Sequence, residues 1–217
     1  MTCQCTALND WSCGSSPEVC AHIRSNRSIN DLRCITEAIT RIEAEANLKG
    51  FHFFLSHAQA TGADKVARIF DWWKRWGYEC WRDADQVLRN LDEMVKGTYS
   101  SSVFVHLINK GSLLRQYCLI EARAAMQLGK PCVCFREDDP RHVGYISLDD
   151  ARAECPEDLR RYIFGQQVWP IGSTPGGVME EHLYGPHLMQ VVNHAWTLQR
   201  STAIGSKSIK ECLAKHK

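Results

Sequence analysis

Residues 101–135 read SSVFVHLINKGSLLRQYCLIEARAAMQLGKPCVCF, and their order decides the fold class. Ser102 to Ile108 is an apolar run of strand length. Gln116 to Leu128 has helical periodicity and is closed by Gly129 and Pro131, residues that stop helices. Cys132 to Phe135 then returns to a short apolar run. A strand, a helix and a second strand in this order form a crossover unit, which joins parallel neighbours.

The same alternation continues in both directions. Upstream, Phe51 to Ser56 fits a buried strand. Asp64 to Trp76 follows as a helix with Val66, Ile69, Phe70 and Trp73 on one face. Gly77 ends it, and Tyr78 to Arg82 reads as the second strand. A polar loop, Asp83 to Asn90, leads to a short helix bearing Leu91, Met94 and Val95. Downstream, an acidic turn runs from Glu137 to Pro140, and Pro156 opens a helix from Glu157 to Phe164. Gln167 to Ile171 is a fifth strand, residues 172–177 a loop, and Pro186 to Trp196 a last helix. Five strands with intervening helices predict an α/β fold: a flavodoxin-like open five-stranded parallel sheet with helices on both faces. In such sheets ligands gather beyond the carboxyl ends of the strands. The loops 56–63, 83–90 and 109–116 are therefore the ones to watch. None carries a Gly-x-Gly-x-x-Gly or Walker pattern, which argues against ordinary dinucleotide-cofactor and P-loop chemistry.

Before the sheet, Leu32, Ile35, Ile39, Ile42 and Ala46 recur at helical spacing. An extra N-terminal helix is expected within residues 28–50, its stripe docked on the domain or on a second chain. The expected organisation is a loose leader over 1–27, this helix, one domain over 51–198 and a polar tail over 199–217. Cys3, Cys5, Cys13, Cys20 and Cys34 crowd the start of the chain. Zinc sites favour Cys-x2-Cys pairs, which are missing here, so free thiols are the preferred reading and no metal is assigned. Cys80, Cys132 and Cys134 lie in apolar runs and read as small buried hydrophobes. The 26 basic and 25 acidic side chains give a net charge of +1, against a broad nucleic-acid or membrane-surface role. No secretory signal or membrane-spanning run is visible, so a cytoplasmic location is expected.

Several runs resemble the Toll/interleukin-1 receptor (TIR) domain family. Phe51-His52-Phe53-Phe54-Leu55-Ser56-His57 is similar to the opening strand of those domains. Glu79-Cys80-Trp81-Arg82-Asp83 resembles their second strand, which ends in an acidic residue before the BB loop. Ser101 to Leu107 resembles the third, and Tyr117-Cys118-Leu119-Ile120-Glu121-Ala122 their aromatic-Cys-x-x-Glu motif. Gly129-Lys130-Pro131 precedes the fourth strand, as is common there. The resemblance covers about two thirds of the chain and comes from the order and spacing of the motifs together. It implies one of two functions. Some TIR domains are adaptors that assemble by domain-to-domain contact, and others cleave the nicotinamide–ribose bond of NAD.

In the cleaving group the catalytic residue is a glutamate at the position of Glu121. The resemblance then implies Ser56, His57, Asp83, Arg89, Tyr117 and Cys118 as the residues around bound NAD. NAD enters as substrate, and no cofactor is expected. The physical reading of Glu121 is compatible with that role without singling it out: Tyr117, Glu121, Ala124 and Leu128 share a helical stripe, so the carboxylate stands on an otherwise apolar face. Loss of nicotinamide leaves positive charge on the ribose, which a fixed carboxylate stabilises. Each residue also has a plainer reading. Glu121 is a first-turns glutamate favoured by the helix dipole, Tyr117 a half-buried aromatic, Ser56 a strand-end cap, Asp83 a turn former and Arg89 a solvated cation. Ala58 and Gln59 follow His57, where cleaving members often carry a basic residue. Val87 and Leu88 in the BB loop, with Trp72, read as an exposed contact surface for self-association or for other TIR proteins. A nucleoside deoxyribosyltransferase-like domain is a third, weaker reading of the same architecture.

Overall fold

In a computed structural model, the structure describes residues 31–44, 48, 50–82, 91–172 and 181–201. Five strands are β1 (Phe51–Ser56), β2 (Cys80–Arg82), β3 (Ser101–Ile108), β4 (Cys132–Glu137) and β5 (Val168–Ile171). They form one parallel sheet in the order β2-β1-β3-β4-β5, the flavodoxin-like arrangement that the sequence predicts. The helices are α1 (31–43), α2 (Gln59–Arg75), α3 (Leu91–Ser100), α4 (Gln116–Gln127), α5 (Leu148–Glu154), α6 (Glu157–Phe164) and α7 (Glu181–Ser201).

Alternation along each strand divides the side chains between two cores. Phe53, Leu55, Val103, Val105 and Leu107 face one way and join Val66, Ile69 and Trp73 of α2 with Leu188, Val191 and Val192 of α7. Phe54, Phe104 and Ile108 face the other way, toward Ala122 and Ala125 of α4, Ala151 of α5 and Leu159 and Ile163 of α6. Cys80, Cys132 and Cys134 are buried in these cores, as their apolar surroundings in the sequence predict.

A third cluster answers where the N-terminal helix docks. Ile35, Ala38 and Ile42 of α1 pack with Met94 and Val95 of α3 and Ile120 and Ala124 of α4. Arg123 of α4 adds an electrostatic clasp, reaching Asp31 of α1 at 3.0 Å and Asp158 of α6 at 2.8 Å. The stripe is thus satisfied within the chain, on the outer face of the helix that carries Glu121.

Several expectations need correction. Trp72 is not an exposed contact residue: it is buried with Trp73 in the α2–α7 core, and α1 lies elsewhere, against α3 and α4. The α2 stripe is wide enough to take both tryptophans, which a narrow reading of its periodicity excluded. Glu137 is not part of an open acidic turn. It is the last residue of β4, wholly buried, and Lys65 of α2 pairs with it at 3.0 Å. Helix α2 begins at Gln59, ahead of the expected Asp64, with no side-chain cap at Ala58 to announce it. Pro186 lies inside α7 instead of opening it. Helix α5 had no forecast, although Ser147-Leu-Asp-Asp150 is a capping signal; the Asp150 amide donates to Ser147 Oγ at 3.1 Å. The leader 1–27, the loop 83–90 with Val87 and Leu88, and the tail beyond 201 lie outside the described residues.

One packing detail carries a prediction. A Cβ on Gly97 of α3 would lie 2.3 Å from Trp81 Cε2. That indole cannot swing aside easily, because it stacks on Phe54 at 4.4 Å with 12° between planes. Gly97→Ala is therefore expected to lower the unfolding free energy by about 1–3 kcal/mol, despite alanine's better helix propensity. Urea unfolding checks this; a gain in stability would contradict the packing described.

Candidate active site

Glu121 sits in the second turn of α4 and points inward, with 4% exposure. Its helix has no acidic residue in the first turn and no side-chain cap. The carboxylate is therefore not arranged as a helix-end partner but turned against the sheet. There Ser56, the last residue of β1, donates its hydroxyl to Glu121 Oε2 at 2.6 Å. This is the short range of hydroxyl-to-carboxylate bonds.

Three other side chains complete the cluster. His106 of β3 lies opposite Ser56 in the parallel register, and its Nδ1 is 3.1 Å from Ser56 Oγ. Cys118 of α4 donates its thiol to the His57 carbonyl at 3.3 Å and also contacts Ser56. His57 itself is buried. Burial pushes the His106 imidazole down to about 3, with neighbouring His57 adding to the effect, so the ring is neutral at physiological pH. Burial first, and then the charge of Glu121, push the Cys118 thiol well above the ordinary thiol range.

That last shift disfavours a thiolate at Cys118 and yields a second prediction. Iodoacetamide at pH 8 is expected to alkylate native Cys118 at least ~100-fold more slowly than the same residue in the unfolded chain. Mass spectrometry of the labelled peptide measures both rates. Equal rates would show an accessible, ionised thiol.

Of the residues the sequence singled out, Ser56, His57, Cys118 and Glu121 come together. Tyr117 does not join them: its ring, in the first turn of α4, is 45% exposed. It is not a member of the buried cluster. Asp83 and Arg89 lie outside the described residues.

Similar backbones occur among solved structures. One is a metazoan TIR-STING receptor from C. gigas in complex with 2′,3′-cGAMP: 14% identity, TM-score 0.45, covering 68% of this chain and 41% of that one. Another is the TIR domains of the activated Roq1 resistosome directly recognizing the pathogen effector XopQ: 13% identity, TM-score 0.41, covering 76% and 96%. The chain is similar to TIR-containing structures. It spans less than half the length of the TIR-STING receptor. No family model and no curated protein matches the chain.

Two residues of this site escaped the sequence reading. His106 looks like one more member of an apolar strand, and only the register places it against Ser56. Asn109, just beyond β3, is wholly buried. Its Nδ2 donates to the Ala58 carbonyl at 3.3 Å and to Thr61 Oγ1 at 2.7 Å, while its Oδ1 accepts from the Ala58 amide at 3.3 Å. It thereby ties the loop after β1 to the loop after β3. Asparagine followed by Lys110 and Gly111 at a strand end was the available signal. Among the described residues, no group of three or more His, Cys, Asp or Glu side chains is placed to hold a metal ion. Among them, too, no helix is long and apolar enough to cross a membrane.

Proposed function

We propose that this chain is a TIR-domain protein that cleaves the nicotinamide–ribose bond of NAD, in a signalling or defence response, with Glu121 as its catalytic carboxylate. The observation that supports this most is the buried Glu121–Ser56 hydrogen bond beyond the carboxyl end of β1. A carboxylate removed from water and held by a hydroxyl is preorganised to meet positive charge. In the reaction, the electrons of the C–N bond leave with nicotinamide, which becomes neutral, and the ribose carries the positive charge. Glu121 stabilises that charge. Water then adds to the anomeric carbon and loses a proton, giving ADP-ribose; attack by the adenine ring would give a cyclic product. Nicotinamide is a good leaving group, so the step needs no strong general acid.

In this reading Ser56 and His57 line the ribose side, and Tyr117 offers an exposed ring for stacking on a base. Asp83 and Arg89 belong to the loop expected to meet ribose and phosphate. Contacts between copies of the domain complete the site.

A second reading, a non-catalytic TIR interaction module, rests on exposed apolar side chains in the loops and helix start beyond β3 and β4. Leu114, Tyr117, Val143 and Tyr145 are all exposed there, and the Lys110 amide joins the two loops by donating to the Gly144 carbonyl at 2.9 Å. A dilution series separates the readings. Concentrated protein is expected to release nicotinamide from NAD, with specific activity falling on dilution as a shared site comes apart. Absence of release even under forced oligomerisation would favour the interaction module.

A further inference from the structure

We propose that His106 is a positioning residue that, as the Nδ1–H tautomer, donates to Ser56 and so turns the serine hydroxyl onto Glu121. The inference rests on the NAD-cleaving reading for its catalytic consequence, but not for its geometry. Counting the protons around Ser56 fixes the direction of each bond. Ser56 Oγ carries one, and besides the Cys118 thiol, which donates to the His57 carbonyl, two neighbours are within hydrogen-bond distance: Glu121 Oε2 at 2.6 Å and His106 Nδ1 at 3.1 Å. The shorter contact has the length of a hydroxyl bonded to an ionised carboxylate, which places the serine proton on that side. Ser56 then has only lone pairs left for the imidazole, so the hydrogen between Oγ and Nδ1 must belong to the ring.

The rest of the environment agrees. His106 is wholly buried, and its ring stacks on Phe104 with centroids 6.0 Å apart. The imidazole is therefore held in one orientation and is neutral, carrying a single proton. Among the described residues, Nε2 has no hydrogen-bond partner. A proton on Nε2 would be a buried, unpaired donor, while the Ser56–Nδ1 contact would lose its hydrogen. A proton on Nδ1 makes that bond and leaves only a lone pair unpaired. No other arrangement of one ring proton and one serine proton makes both short contacts favourable while Glu121 stays ionised. The opposite chain, from a protonated Glu121 through Ser56 to a bare Nδ1, would put the ring proton on the partnerless Nε2 and replace the ionised carboxylate that the 2.6 Å contact indicates.

Nitrogen-15 NMR of histidine-labelled wild-type protein at neutral pH tests the proton arrangement directly. The expected spectrum shows His106 protonated at Nδ1 and bare at Nε2; the reverse pattern overturns the proposal, whatever the protein does to NAD. Variants test the consequence. His106→Leu removes the donor, and kcat for nicotinamide release is expected to fall ~10–100-fold, as for a misplaced reacting group, with KM within about twofold. His106→Asn puts an amide N–H near the position of Nδ1 and is expected to recover kcat to within about threefold. Loss of activity that the asparagine does not rescue, or a leucine variant as active as wild type, overturns the positioning role. If the leucine variant fails to fold, the asparagine variant and the wild-type spectrum still decide. A wild-type protein that releases no nicotinamide, yet shows Nδ1 protonated, defeats the NAD-cleaving reading and leaves the hydrogen-bond assignment standing.

Discussion

Lys65→Met is expected to lower the unfolding free energy by about 3–5 kcal/mol, the usual cost of leaving one member of a buried ion pair without its partner. Lys65 and Glu137 are 2% and 0% exposed and lie 3.0 Å apart, joining α2 to the last residue of β4. The carboxylate also accepts from the Asp139 amide at 3.0 Å. Removing the ammonium would leave that carboxylate buried with its largest compensating charge gone. The double variant Lys65→Met/Glu137→Leu removes both charges together and is expected to recover most of the loss, because well-packed apolar pairs replace buried ion pairs at little cost. Urea titrations of the wild type, both singles and the double complete the cycle. A single substitution costing under about 1 kcal/mol would place this pair in the class of solvated surface bridges and contradict its burial.

The second large effect concerns Glu121. Glu121→Gln keeps the side-chain volume and an oxygen to accept from Ser56 Oγ, but removes the charge. Nicotinamide release is expected to fall by about 100- to 1000-fold, the scale on which preorganised electrostatic groups act. Stability is expected to hold or rise, since a buried charge no longer has to be desolvated. Unchanged release in a folded Gln variant would remove Glu121 from the chemistry. A variant that loses activity only because it unfolds would instead show a matching drop in its urea midpoint.

The elements legible in the sequence were those whose cause is local. The strands read at Ser102–Ile108 and Cys132–Phe135 announce themselves by mostly apolar runs, and α4 by its period and its Gly129 stop. Ser56 and Glu121 could be named because each sits at a strand end or helix start that the family resemblance marks. What stayed hidden depends on pairing across the sheet. His106 was one polar residue in an apolar strand until the β1–β3 register set it opposite Ser56. Glu137 reads as part of a turn, and its pairing with Lys65 needs α2 packed over the end of β4. The docking of α1 was equally open, because an apolar stripe declares that it must be covered and not by what. Met94, Val95, Ile120 and Ala124 supply the answer.

The central claim is that an ionised Glu121 meets the nicotinamide ribose, and a carbocyclic NAD analogue that cannot be cleaved tests it at the residue itself. In glutamate-labelled protein, the carbon-13 resonance of the Glu121 carboxyl, assigned by its loss in Glu121→Gln, is expected to shift saturably as the analogue is added. A Glu121 signal unmoved by millimolar analogue, whether or not other signals shift, would contradict the account.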